Sequence, residues 1–206
     1  MAGIFITFEG TEGCGKSTHI KKLATCLKEE GHTVRTLREP GGTESGEEIR
    51  ELLKHGPDNL TPEAELLLMN ASRAQLVREI IRPALAAGEV VLCDRFFDST
   101  LAYQVYGKGV DKNFINSIHK KILKGIKPNL TIILKANINK AMKRLKKRKN
   151  KNRYDKFSSN FYRKVQNAFI KISKTNSKRY IILDNSNDTP VTEKIIFSKF
   201  MKLLDQ

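Results

Sequence analysis

The chain has 206 residues, 39% hydrophobic and 29% charged, a balance that suits one soluble globular domain with a sizeable core. No apolar run approaches the roughly 18 residues needed to span a bilayer, and three cysteines without CxxC spacing point to neither a disulfide framework nor a zinc site. The net charge of +16 would raise nucleic acid as a partner, but residues 112–178 hold 21 Lys or Arg against one acid, Asp155, and the rest sums to −4.

That basic stretch is also rich in Asn and Ile, so it reads as solvated lysines on amphipathic helices, and nucleic acid is not expected as a partner. A reducing cytoplasm is the expected setting.

The first nine residues are too short and uncharged for a signal peptide, and 4–9 read as a strand. A helix is expected over 15–30, a strand over 33–38, then helices over 44–55 and 62–87. A strand at 89–94 and a helix at 111–124 follow, then a strand at 130–135 and helices at 137–149 and 156–174. A strand at 180–184 and a helix at 190–204 close the chain. Strands that look buried, alternating with helices, predict an α/β fold with a five-stranded parallel sheet flanked by helices on both faces. Right-handed crossovers then place every strand's C-terminal end on one edge, where Glu9, Arg38, Asp94 and Lys135 fall. There is no internal repeat and no Pro/Gly/Ser-rich linker; the Lys/Asn-rich piece 146–152 is the one low-complexity stretch. A single domain over 1–206 is expected.

The most specific feature lies between the first strand and the first helix. Gly10, Thr11, Glu12, Gly13, Cys14, Gly15, Lys16 and Ser17 match GxxxxGK[ST] in full. Glycines let consecutive backbone N–H groups turn toward one point, and the following helix adds its N-terminal donors. Lys16 can reach β and γ phosphates, and the Ser17 hydroxyl can ligate Mg²⁺. Cys14 reads as a small residue that fits the loop. At the end of the third strand, Asp94 occupies the position of an acid that holds the Mg²⁺ hydration shell, and Arg95 beside it could bind a phosphate.

With these pieces in place the chain resembles the thymidylate kinases over nearly its whole length. Four signatures carry the resemblance: the P-loop with Glu12 inside it, Arg38-Glu39-Pro40-Gly41-Gly42-Thr43, Ala71-Ser72-Arg73-Ala74-Gln75-Leu76-Val77, and Asp94-Arg95 continuing into Asp98-Ser99-Thr100-Leu101-Ala102-Tyr103-Gln104. The resemblance implies a P-loop NTPase fold with a helical lid at about 144–156. It also implies ATP-dependent phosphorylation of dTMP with Mg²⁺, and a homodimer. On the acceptor side it implies that Glu12 faces the sugar 3′-hydroxyl, Arg95 and Arg73 bind the phosphate and the thymine side of dTMP, and Glu39 and Pro40 shape the pocket. Ser99, Thr100 and Gln104 would supply polar contacts, and Tyr103 would crowd the sugar 2′ position. On the donor side it implies contacts from the P-loop residues and Thr18, with Arg144 packing on adenine.

Phosphoryl transfer also needs positive charge on the moving group. Some members carry that arginine in the P-loop and others in the lid; Thr11 to Cys14 contain none, so Arg148 and Arg153 are the candidates here. The chain departs from the family's usual residues at three positions. Asn152 stands where Asp usually precedes the Arg153 position, Lys135 stands for an Asp at the end of the fourth strand, and Met69 stands for the Phe or Tyr that stacks on thymine. Methionine is flexible and polarizable and can lie against a ring.

Overall fold

The computed structural model describes residues 3–147, 152–187 and 190–204. Five strands, β1 (Ile4–Glu9), β2 (Val34–Arg38), β3 (Val90–Asp94), β4 (Leu130–Lys135) and β5 (Tyr180–Asp184), form one parallel sheet in the order β2-β3-β1-β4-β5. Sequence composition decides which strands are central. β1, β3 and β4 are apolar at nearly every position and are buried on both faces, whereas β2 and β5 are partly exposed and sit at the edges. In the middle of the sheet Thr7 faces Thr131 in register, and their hydroxyls share a buried hydrogen bond of 2.9 Å.

Alternate residues of the central strands feed opposite cores. Ile6, Phe8, Leu92, Ile132 and Leu134 pack against α1 (Lys16–Glu29) and α9 (Pro190–Leu204), which contribute Leu23, Leu27, Ile196 and Phe200. Phe5, Val91 and Cys93 face the opposite side and pack on Leu76, Val77, Ile81 and Phe96. Further along that side, Ile133 and Tyr180 meet Val165, Phe169 and Ile172 of α8 (Ser159–Ser173). Helices therefore cover both faces, as the alternation of elements predicts.

The stretch expected as one helix over 62–87 is α3 (Pro62–Leu76), a π-helical turn at Val77–Ile81, and α4 (Arg82–Ala86). Pro83 accounts for the interruption: it offers no N–H and would crowd the carbonyl four residues back, and a wider turn absorbs it. The sequence reading placed no helix over 97–107, where the structure has α5 (Phe97–Thr100) running into a second π-helical segment, Leu101–Gly107. Ser, Thr, Tyr and Val are poor helix formers, and the π geometry does not give the 3.6-residue repeat that a helix search looks for. The remaining helices are α2 (Glu44–His55), α6 (Lys112–Leu123) and α7 (Ile138–Lys146).

Two connections position the site. β1 leads into the P-loop and α1 on one face of the sheet, and β3 leads into α5 on the other face, leaving a crevice at the ends of these two neighbouring strands. Phe200 of α9, fully buried, anchors the covering layer against α1 and meets the His32 ring edge-on at the end of α1 away from that loop. Phe200→Ala is expected to cost about 3–5 kcal/mol, read as a lowered midpoint in urea denaturation.

Candidate active site

The P-loop is held by close backbone neighbours. At Gly13 (φ 73°), a Cβ would lie 2.8 Å from the Ala141 carbonyl of α7, and at Gly15 (φ 99°) it would lie 2.5 Å from the Asn185 amide. Only glycine tolerates both the left-handed backbone and the contact. Asn185 is fully buried just after β5; it donates from Nδ2 to the Cys14 carbonyl at 2.8 Å, and its Oδ1 lies 3.1 Å from His19 Nε2. Neither Asn185 nor His19 carries a local sequence signal, because 166 residues separate them.

Inside the loop, Lys16 Nζ donates to the carbonyls of Thr11 (3.1 Å) and Gly10 (3.3 Å) and stands 4.0 Å from Asp94 Oδ1. Ser17 Oγ donates to Asp94 Oδ2 at 2.8 Å. A hydroxyl and a carboxylate from two different loops thus meet beside the lysine, an oxygen donor pair of the kind Mg²⁺ uses together with substrate phosphates.

Arg95 adopts φ 74°, uncommon for a residue with a side chain. Its N–H donates to the Phe8 carbonyl at 2.9 Å, and its own carbonyl accepts from Cys93 Sγ, so both sides of the residue are tied down. The guanidinium is thereby swung back over the crevice. It donates to Glu12 Oε1 (2.8 Å), Ser99 Oγ (2.9 Å) and Tyr103 Oη (3.2 Å). Burial keeps the Tyr103 phenol well above its ordinary pKa, so it meets Arg95 as a neutral acceptor. Behind this group lies Glu9, fully buried, whose carboxyl accepts from Phe96 N (2.8 Å) and from Ser99 Oγ (2.5 Å). Burial, with the nearby Asp98 carboxyl adding to it, pushes Glu9 up to about 8. Asp98, also fully buried and raised to about 6 by burial, accepts from Arg179 (3.0 Å) and Tyr180 Oη (2.7 Å).

A second buried arginine sits deeper. Arg73 of α3 donates from Nε and Nη2 to Glu39 Oε2 (2.8 and 2.6 Å) and from Nη1 to Thr100 Oγ1 (2.8 Å), with His119 Nε2 at 3.2 Å. Burial, and Arg73 itself, lower His119 to about 3, so the ring is neutral and accepts that hydrogen bond. Glu65, fully buried on α3, accepts from Gln104 Nε2 (2.8 Å), from Lys108 Nζ (2.7 Å) and from Arg153 Nη2.

Glu12, Lys16, Asp94, Arg95, Glu39 and Arg73 line one cleft of about 810 Å³, with Glu9, Asp98, Glu65 and His119 buried behind its wall. Every sequence-predicted site residue among the described ones borders it except Gly10, Thr11 and Cys14, buried in the loop, and Arg153, which rests on Glu65 and the Pro57 carbonyl. Arg148 lies outside the described residues. Arg144 donates to the Gly13 carbonyl at 3.1 Å, bringing α7 onto the P-loop. Met69 lines the cleft, half-buried. Asn152 caps the short 3₁₀ turn Arg153–Lys156, accepting from Tyr154 N while its own N–H donates to Asp155, so it does the capping work an Asp would do there. Lys135 pairs with Asp184, its register partner on β5, at 3.6 Å. Sequence reasoning missed Arg50 of α2, which also borders the cleft and donates to the Pro40 carbonyl at 2.6 Å; it looks like one more charge on an amphipathic helix.

Comparison with known proteins gives one family. Residues 8–196 match the family model described as thymidylate kinase. The thymidylate kinase of Geotalea uraniireducens is 45% identical over 94% of both chains, and that of Kosmotoga olearia is 36% identical over 98% of this chain and 97% of the other. The crystal structure of thymidylate kinase from Ehrlichia chaffeensis superposes with a TM-score of 0.77 at 31% identity, covering 99% of each chain.

Two expectations follow from this geometry. Asn185→Ala removes the tie to the P-loop carbonyl and should cost about 1–3 kcal/mol of stability, with a raised KM for the triphosphate. Glu9 binds its proton more tightly folded (about 8) than unfolded (near ~4.3), so the wild type should lose stability as pH rises between these values. Urea denaturation at pH 6, 7 and 8 should give a slope up to about 1.4 kcal/mol per pH unit steeper in the wild type than in Glu9→Gln.

Proposed function

The chain belongs to the thymidylate kinase family, with the P-loop NTPase fold, and we propose that it transfers the γ-phosphoryl group of ATP to dTMP, giving ADP and dTDP. The observation that carries this reading is the position of Arg95. Its guanidinium touches Glu12 of the P-loop on one side and Ser99 and Tyr103 of the deeper pocket on the other, so it borders both phosphate sites at once.

The donor triphosphate lies along the loop from Gly10 to Thr18, with Lys16 exchanging its carbonyl partners for β and γ oxygens, and with Arg144 flanking the adenine. Ser17 and Asp94 would hold Mg²⁺; when bound, the ion draws charge from the phosphate oxygens. The acceptor phosphate takes Arg95, and one of its oxygens attacks the γ phosphorus in line as the bond to the β-bridging oxygen breaks. Glu12 accepts from the sugar 3′-hydroxyl, and Tyr103 fills the space a 2′-hydroxyl would need. Thymine lies over Met69 with Arg73, Thr100 and Gln104 at its edge, while Glu39 and Pro40 close the pocket wall. Two anionic substrates repel each other at reacting distance, and the arginines offset that repulsion.

The charge on the moving phosphoryl comes from the lid at about 144–156, within a single kinase domain spanning the chain. Of its two candidates, Arg153 leaves Glu65 on closure or Arg148 closes in its place. The protein acts as a cytoplasmic homodimer; Leu52, Leu67 and Phe114 are 40–50% exposed on the adjoining helices α2, α3 and α6, an apolar face that supports pairing. No described helix is long and apolar enough to cross a membrane.

Purified protein with Mg²⁺ and ATP should release ADP when dTMP is added and not when no nucleoside monophosphate is present, and dTMP should raise its melting temperature where GMP does not. Arg95→Met should lower kcat/KM for dTMP by at least about 100-fold in steady-state assays. ADP release independent of any nucleoside monophosphate would refute the reading.

A further inference from the structure

The Glu65 network fixes more than a helix packing. Three donors converge on this fully buried carboxyl: Lys108 Nζ, Gln104 Nε2 and Arg153 Nη2. Two of them are cations. Facing both, Glu65 is a carboxylate, and a carboxylate can only accept hydrogen bonds. A glutamine amide is otherwise ambiguous, since its oxygen and nitrogen ends are nearly the same size and either end can point either way. Here the ambiguity is removed. Turned the other way, Gln104 would set its carbonyl oxygen against a carboxylate oxygen and strand its two N–H donors.

The amide nitrogen is therefore committed to Glu65, and the oxygen end is left over. Gln104 Oε1 is buried and has no hydrogen-bond partner among the described residues, while Gln104 itself borders the cleft. A buried, unpartnered carbonyl oxygen costs free energy until a donor meets it. We propose that Glu65 is a specificity-positioning residue: it locks the Gln104 side chain as a hydrogen-bond acceptor toward the bound base and so selects bases that carry a ring N–H. This rests on the reading of the cleft as the dTMP pocket.

The chemistry that follows is specific. Thymine and uracil both carry a proton on N3 and can donate to a fixed acceptor. Cytosine has a bare lone pair at N3, which would face the Gln104 oxygen lone pairs with no proton between them. Glu65 thus discriminates thymine from cytosine without touching either, and it does not discriminate thymine from uracil, which differ only in a methyl group. In Glu65→Gln the residue can both donate and accept, so the Gln104 amide becomes free to turn and offer its N–H to cytosine.

The test is kcat/KM for dTMP, dUMP and dCMP on wild type and Glu65→Gln. The dTMP:dCMP ratio should fall at least about tenfold in the variant, while the dTMP:dUMP ratio stays within about twofold. Glu65→Asp, which keeps the charge, should retain more of the dTMP:dCMP preference than Glu65→Gln. Should Glu65→Gln prove insoluble, the triple variant Glu65→Gln/Lys108→Met/Arg153→Met, which leaves neither cation without its carboxylate, is read in the same way. A dTMP:dCMP ratio unchanged from wild type, or both ratios falling together, overturns the proposal. Wild-type protein that does not turn over dTMP at all would instead overturn the dTMP reading itself, so the two failures are distinguishable.

Discussion

Arg95 sits where the ends of β1 and β3 converge, and its guanidinium spans the gap between the P-loop and the helix that follows β3. Its left-handed backbone is a strained choice, of a kind that costs about 1–3 kcal/mol, and it persists because the flanking peptide groups are tied to Phe8 and Cys93. Without that turn the side chain would follow the strand direction and miss the crevice. Almost everything else around the cleft serves this placement. Glu9 holds Ser99, Ser99 faces the guanidinium, and Glu12 meets it from the P-loop.

Neutrality is the accompanying constraint. In and behind the cleft, cations stand against carboxylates: Arg95 on Glu12 and Arg73 on Glu39 at its wall, and Lys108 and Arg153 on Glu65 behind it. A site built for two phosphate-bearing ligands would otherwise hold several uncompensated buried charges, each far more costly than an exposed one. Burial still raises carboxyl pKa values here, at Glu9, which has no cation in direct contact, and at Asp98 and Glu39 against the pull of Arg179 and Arg73.

How much of this could be read from the chain depends on distance along it. The P-loop was legible because its chemistry is local, with eight residues at fixed spacing between a strand and a helix. The five strands were legible as apolar runs, and their edge or central positions follow from how continuous those runs are. The helix over 97–107 was not legible, since poor helix formers and π geometry hide its period. Glu65 looked like an ordinary acid in the first turn of an amphipathic helix; only the fold brings Arg153, 88 residues away, onto it. Asn185 was hidden for the same reason. Resemblance named the substrate-facing residues, but it did not reveal the carboxyls, amides and imidazole that hold them in place.

The basic surplus of residues 112–178 has a consequence of its own. That stretch supplies α6, α7, the turn at Arg153–Lys156 and α8, and so includes the elements that border the mouth of the cleft, with Arg144 and Tyr154 on its wall. A field of one sign beside an entrance acts before contact, over about 8 Å at physiological ionic strength. Anionic ligands diffusing nearby are drawn toward the opening, and the pull weakens as salt thickens the screening cloud. The lysines that take no part in holding a substrate can thus set how often one arrives.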